Sequence, residues 1–259
     1  MADKIKTYII NLKQSSGRRE YIQKEVSNYL FLDSEFIEAV DGRVLSTEEI
    51  ALLFDRKRFE KYYSRRPFPG EIGCTLSHRE CYRKFLESEE EVALILEDDI
   101  HFLYEQDVGK VLQEAVCLLE KAPATFLYLQ LPRLCWSFSG QQFAGNYKLY
   151  SMWCGVGSAI YLINRKGAQK MLSCSYPYWM ADHYELFRLK GIHIKAVFPT
   201  FAAVDEEIAG KTDISRKIDV RIPHNVRWLF YRIRLEFIKR FVSILVFAGL
   251  LKLLNDDNR

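Results

Sequence analysis

The stretch Val92 to Asp99, Val-Ala-Leu-Ile-Leu-Glu-Asp-Asp, runs five apolar residues straight into three carboxylates. Acids delivered this close together repel one another strongly. A hard divalent cation with a taste for oxygen ligands, Mg²⁺ or Mn²⁺, is the usual relief. A cation held by Asp98 and Asp99 can in turn hold a diphosphate. A solvated acidic loop after a strand is the plainer alternative. Two further groups sit where such a ligand would arrive. Asn11 ends the first apolar run, and Arg18 and Arg19 follow it. An arginine there can pair with phosphate or stack on a base, or it can be surface charge on the first turn of a helix. His78 follows Ser77 directly, and adjacent residues on a helix do not face each other. A Ser–His nucleophilic pair is therefore a poor reading, and His78 is expected to orient the site or contact a ligand. Gly155 and Gly157 allow close approach of the backbone to a ligand, or simply a tight turn.

The elements around these residues give the frame. An unbroken apolar run of this length reads as a fully buried strand of a parallel sheet. Open α/β sheets receive ligands at the carboxyl ends of their strands. Strands are expected at Ile5–Asn11, Glu35–Val40, Thr125–Leu131, Leu149–Trp153, Ser158–Ile163 and His193–Phe198. Helices are expected at Arg18–Leu30, Gly70–Ser88, Glu105–Lys121, Lys166–Ser173 and Met180–Lys190. Ser46-Thr-Glu-Glu49 is a capping box that opens a short helix, and Asp41-Gly42 is a turn pair. Strands alternating with helices predict an α/β fold with a mostly parallel central sheet flanked by helices.

The 259 residues are 49% hydrophobic and 27% charged, with a net charge of +3. That composition supports a sizeable core and fits one large domain or two small ones. The six cysteines include no Cys-x-x-Cys pair, which argues for reduced thiols rather than a zinc or redox framework. The opening Met-Ala-Asp-Lys-Ile-Lys lacks the apolar core of a signal peptide, so a cytoplasmic location is expected. The basic and aromatic stretch Arg56 to Arg66 is by default a solvated face; contact with anionic lipid or acceptor phosphate is the functional reading, and nucleic acid is not expected as a partner.

The C-terminal end differs in kind. From Val226 to Leu254 six basic residues stand against the single acid Glu236, a net +5 that leaves −2 for the rest of the chain's +3. Aromatic and aliphatic residues interleave with these charges, and an apolar run from Phe241 to Leu251 follows. Eleven residues fall short of the roughly 20 needed to span a bilayer. A basic amphipathic helix lying on an anionic membrane surface is expected, with packing on the core as the alternative. The division that follows is a domain over residues 1–225 and a membrane-associating segment over 226–259.

Five segments, in order and spacing, resemble glycosyltransferase family 25. They are Ile10-Asn11-Leu12 with Arg18-Arg19, the run Gly70-Glu-Ile-Gly-Cys-Thr-Leu-Ser-His78, Ile95-Leu-Glu-Asp-Asp99, the run Gly157 to Ala168, and Asp182 in Met-Ala-Asp-His183. The resemblance spans about residues 5 to 215. It implies a GT-A-type nucleotide-sugar-binding fold, a Mn²⁺ (or Mg²⁺) cofactor, and inverting transfer of a sugar, most often galactose, from a UDP-sugar to a bacterial lipooligosaccharide. It thereby implies a peripheral place on the inner face of the bacterial inner membrane. It assigns Asp99 to the metal, Asp98 to metal and donor, and Asn11, Arg18, Arg19, His78 and Gly157 to the donor. It makes Asp182 the general base, with His183 as rival, and His224 a late metal ligand. Asp213 is placed near the diphosphate. The alternatives are a metal-dependent phospho- or nucleotidyltransferase built on the same acids, and a non-catalytic nucleotide-sugar-binding membrane module.

Overall fold

A computed structural model describes residues 4–210 and 226–254. The chain opens with β1 (Ile5–Asn11), α1 (Ser16–Ser27) and β2 (Leu32–Glu38), then three helices, α2 (Thr47–Leu53), α3 (Arg56–Tyr63) and α4 (Pro69–Glu87). Next come β3 (Val92–Glu97), the short β4 (Ile100–Phe102), α5 (Glu105–Glu120) and β5 (Thr125–Tyr128). A β-rich stretch follows: β6 (Leu134–Trp136), β7 (Gln141–Gln142), β8 (Lys148–Cys154) and β9 (Ile160–Asn164). The chain continues through α6 (Arg165–Leu172), α7 (Tyr184–Leu189), β10 (His193–Phe198), β11 (Ala202–Val204) and α8 (Glu206–Ala209). It closes with α9 (Val226–Phe247) and β12 (Leu251–Leu253).

Among the described residues one ten-stranded sheet runs in the order β12-β6-β8-β10-β5-β9-β3-β1-β2 with β7 beside β8, while β4 and β11 form a separate pair. β1 pairs in parallel with both β2 and β3, and β10 in parallel with β5. β9 lies antiparallel between β3 and β5, so β1, β2, β3, β5 and β10 all point the same way. The expected α/β architecture, a sheet of mostly co-directional strands flanked by helices, is present.

The apolar run of β3 is buried because both faces of the sheet are covered. Ala93 and Ile95 enter one core, together with α3, α4, α6 and α7; Val92, Leu94 and Leu96 enter the other, with α1 and α5. Burying a Val, Leu or Ile fully is worth about 1.5–3 kcal/mol each, so this strand has no freedom to slip by a residue and turn its side chains over. The Ser46 capping box forms as expected, with Glu49 N–H donating to the Ser46 hydroxyl at 3.1 Å and Ser46 N–H to the Glu49 carboxylate at 2.8 Å.

Two departures bear on function. The helix expected from Met180 begins only at Tyr184, because residues 180–183 form a turn, with the His183 N–H on the Met180 carbonyl, while the Asp182 and His183 side chains bond to Gly157 and Tyr63. The C-terminal helix is followed by β12, whose Leu251 pairs with Trp136 and whose Leu253 pairs with Leu134 on β6. The segment beyond residue 226 is thereby tied into the edge of the sheet. Leu251 and Leu254 are buried, while Ile233, Phe237, Phe241, Ile244 and Phe247 of α9 face outward. Among the described residues no helix is long and apolar enough to cross a membrane.

Candidate active site

The carboxyl ends of β1 and β3 lie side by side, with Ile10 opposite Glu97. This register brings Asn11 to Asp98, its amide donating to Asp98 Oδ2 at 2.6 Å. Arg18, on the first turn of α1, reaches over the same rim. Its Nη2 donates to Asp98 Oδ1 at 2.6 Å and also to Asp99 Oδ2. Asp98 and Asp99 occupy the turn between β3 and β4, and the Asp205 N–H clamps the Asp99 carbonyl at 2.7 Å. A cavity of about 390 Å³ opens above them, lined by the β1–α1 loop, residues 39–43, the α4 residues Cys74, Ser77 and His78, and Val204, Ala209 and Gly210. Arg18 lines it; Arg19 does not, and its guanidinium instead stacks 3.7 Å from the ring centre of Phe36.

The run Gly70 to His78 acts as a set of ties. Glu71 accepts from Arg65 at 2.6 Å and from the Phe68 N–H at 2.8 Å, fixing the start of α4. A side chain at Gly73 would strike the Val40 carbonyl oxygen at 2.4 Å, and one at Gly42 the Pro69 oxygen at 1.8 Å, so the two glycines let loop 39–43 interlock with the helix. Val40 N–H donates to the Ser77 hydroxyl at 2.9 Å, and the Thr75 hydroxyl donates to the Trp179 carbonyl at 2.9 Å. One helix thus positions both the cavity wall and the loop that leads to Asp182. Asp41, which the sequence shows only as a turn residue, lines the cavity and is held by Arg43 at 2.8 Å, which keeps its carboxyl low, at about 2.

Below the rim lies a buried polar chain. His78 Nε2 is 3.2 Å from Glu97 Oε1, His78 Nδ1 is 2.9 Å from the Tyr161 hydroxyl, and Tyr161 is 2.7 Å from Tyr82. With the proton on Nε2, Tyr82 donates to Tyr161, Tyr161 to Nδ1 and His78 to Glu97, so every group is satisfied. His78 therefore orients Glu97. Burial pushes Glu97 up, but the His78 contact and the Ser158 hydroxyl outweigh it and hold the carboxyl below its ordinary value.

Gly157 and Ser158 join the two acidic halves of the site. The Gly157 N–H donates to Asp182 Oδ2 at 3.1 Å, and the Ser158 hydroxyl donates to Glu97 at 3.0 Å. Gly157 adopts a φ of +80°, a conformation that L side chains resist. Burial raises the Asp182 carboxyl above its ordinary value, which improves it as a proton acceptor. His183 is engaged by the Tyr63 hydroxyl through Nδ1, and its ring packs beside Tyr62. His224 and Asp213 lie outside the described residues. The basic stretch Arg56–Arg66 is largely used internally: Arg56 pairs with Glu60, Arg58 stacks on Tyr178 and Arg65 pairs with Glu71.

Two clusters could be asked to hold a metal. Cys74, His78 and Glu97 bring ligand atoms within 4.8 Å of one another. His78 and Glu97 are already satisfied by hydrogen bonds, however, and burial lifts the Cys74 thiol well above its ordinary value, away from the thiolate a metal needs. At the rim the fit is better. Among the described residues Asp99 Oδ1 is buried without a partner, an orphan acceptor of the kind a hard cation satisfies. Burial first, then Glu97, pushes the Asp99 carboxyl up to about 7, with Arg18 opposing. Asp98 is raised by burial as well, against the pull of Asn11 and Arg18.

A sheet rim with paired acids, an arginine and a cavity sized for a small ligand defines a ligand-binding α/β domain. The profile described as glycosyltransferase family 25 (LPS biosynthesis protein) matches residues 4–184, and the chain belongs to that family. Among curated relatives, a "Glycosyltransferase 25 family member" of Aedes aegypti is 39% identical over 115 residues, covering 42% of this chain and 18% of the relative. "Procollagen galactosyltransferase 2" of Homo sapiens is 28% identical over 177 residues, covering 65% and 27%. The chain thus spans about a quarter or less of the lengths of these relatives. A solved glycosyltransferase involved in glycosylation of the major capsid of PBCV-1 aligns over 65% of this chain and 63% of that one, at 11% identity and a TM-score of 0.32.

Proposed function

We propose that this chain transfers a sugar, galactose in the first instance, from a UDP-sugar to an acceptor hydroxyl with inversion at the anomeric carbon. The observation that carries the reading is the Gly157–Ser158 step. It holds the proton-accepting carboxylate Asp182 and the acidic rim, through Glu97, within one residue of each other. The acceptor hydroxyl attacks the anomeric carbon opposite the diphosphate as the bond to the diphosphate oxygen breaks. Its proton passes to Asp182, whose raised carboxyl suits that task. Arg18 supplies positive charge toward the diphosphate, and Asn11 keeps Asp98 in place. A divalent cation, Mn²⁺ or Mg²⁺, held by Asp99 and Asp98 would neutralise charge growing on the leaving nucleotide. Binding energy from the nucleotide orients the sugar.

The acceptor reading is a lipooligosaccharide hydroxyl presented at an anionic membrane. It is supported by the outward apolar residues of α9 beside Lys239 and Arg240, and places the protein on the cytoplasmic face of a bacterial inner membrane. The names of the curated relatives favour a second acceptor, a procollagen-like polypeptide. Incubation with UDP-galactose, Mn²⁺ and each acceptor, followed by product analysis, tests both. Free UDP with a glycosylated acceptor supports the proposal. A phosphorylated acceptor points to a phosphotransferase, and donor binding without turnover on any acceptor points to a binding module.

A further inference from the structure

Among the described residues, three of the four carboxylate oxygens of Asp98 and Asp99 accept a hydrogen bond or ion-pair contact. Asp98 Oδ2 accepts from Asn11, while Asp98 Oδ1 and Asp99 Oδ2 both accept from Nη2 of Arg18. Asp99 Oδ1, though buried, has no hydrogen-bond partner among the described residues. With three of these oxygens already accepting from the protein, an incoming divalent ion has to compete for its carboxylate ligands. A divalent ion and the Arg18 guanidinium would also lie within a few ångströms of each other, two positive charges in a partly desolvated place. The guanidinium and the ion would therefore compete for these carboxylates.

We propose that Arg18 is a built-in counter-cation that the metal must displace. In the protein alone it neutralises the buried acid pair and keeps the rim folded. When nucleotide and metal arrive, the guanidinium leaves Asp98 and Asp99 and turns to the diphosphate, which brings its own negative charge to receive it. The move is short: Arg18 already lines the same cavity, on the first turn of α1, and its side chain is 23% exposed, against 7% for Asp98. The diphosphate and the metal therefore recruit each other, because each removes a cost of binding the other. Such coupling is reciprocal by thermodynamic necessity. This rests on the assignment of Asp98 and Asp99 as metal ligands above.

The test is equilibrium binding of Mn²⁺ to the whole chain, followed by the electron paramagnetic resonance signal of the free ion, with and without UDP. In the wild-type protein Mn²⁺ alone is expected to bind weakly and to bind roughly tenfold tighter, or more, when UDP is present. Arg18→Gln removes the competitor. It should bind Mn²⁺ alone roughly tenfold tighter than wild type, while its affinity for UDP falls and the coupling shrinks. Arg18→Lys keeps the charge and should keep the weak binding of Mn²⁺ alone. Loss of an ordinary structural contact would not tighten metal binding, so the direction of the change carries the inference. If Arg18→Gln binds Mn²⁺ no tighter than wild type while Asp99→Asn abolishes binding, the exchange is overturned and the metal assignment stands. If Asp99→Asn leaves Mn²⁺ binding unchanged, the assignment itself falls and the exchange with it. If Arg18→Gln does not fold, the wild-type protein decides: Mn²⁺ affinity indifferent to UDP overturns the exchange.

Discussion

The acids on either side of Glu97 are under opposite management: Asp98 and Asp99 line the cavity, whereas Asp182 is tied to Glu97 through Gly157 and Ser158. Asp98 and Asp99 are surrounded by charge, a guanidinium on one side and Glu97 on the other. Asp182 is held by a neutral backbone N–H, and burial raises its carboxyl. Both environments desolvate a carboxylate, which disfavours its charged form. They differ in what would restore the charge. At the rim a cation is the natural remedy, and the arginine is one already. At Asp182 the natural remedy is a proton. Residue type alone does not separate a metal ligand from a base, whereas the partners do.

The largest effects should come from exchanging each acid for its amide. Asp182→Asn keeps the shape and still accepts from Gly157, yet cannot take a proton. Its kcat is expected to fall roughly 10²–10⁴-fold with donor affinity little changed, read from steady-state kinetics and UDP titration. Asp99→Asn should lower turnover by roughly 10²-fold or more and erase its response to Mn²⁺, with the fold intact by circular dichroism. If the two variants lose the same parameter and neither changes metal response, the contrast between the acids is broken.

The pH dependence separates them further. Asp99 moves from an ordinary 3.8 up to about 7 in the folded protein. A raised carboxyl contributes stability that is fully present below the unfolded value and lost as pH rises through the folded one. Metal-free protein should therefore lose melting temperature between about pH 4 and pH 7 on account of Asp99, and Asp99→Asn should flatten that slope. Mn²⁺ should raise the melting temperature more at pH 8 than at pH 6, because protons compete for the ligand. Glu97, lowered by His78, works in the opposite sense: its contribution is present above the unfolded value and lost as pH falls.

Gly157→Ala sharpens the contrast at smaller cost. A positive φ for an L residue costs roughly 1–2 kcal/mol, and the N–H that holds Asp182 is displaced with it. Turnover should drop more than the melting temperature, while Mn²⁺ binding at the rim is unchanged. The smallest effect is expected at the far end of the molecule. Lys239→Glu with Arg240→Glu should weaken binding to anionic liposomes, about 1 kcal/mol for each charge removed. The pair leaves β12 on its edge strand, as wholesale removal of residues 226–259 would not. Liposome binding unaffected by the double reversal would sink the membrane reading of α9.

Much of this protein is legible in its order of residues. The run Val92–Leu96 determines a strand buried on both faces, because five consecutive apolar side chains leave no polar face for solvent. The acids that follow must then fall at its carboxyl end, and Ile5–Asn11 behaves alike one strand away. The capping box at Ser46 is legible for the same reason: its bonds are local. What the chain order did not decide is every relation that spans long separations. The pairing of Arg18 with Asp98 and Asp99, rather than Arg19, depends on which side of α1 meets the sheet. The tie from Glu97 through Ser158 and Gly157 to Asp182 depends on β9 entering antiparallel beside β3. Residues 180–183 leave the helical pattern for a turn whose Asp182 and His183 side chains bond to Gly157 and Tyr63. The return of β12 to β6 answers to an open sheet edge, a vacancy that exists only once the sheet is assembled. Sequence determines the chemistry that is available and the local elements that carry it; only the packed sheet and helices decide which charges meet, because desolvation and charge pairing are properties of neighbours in space.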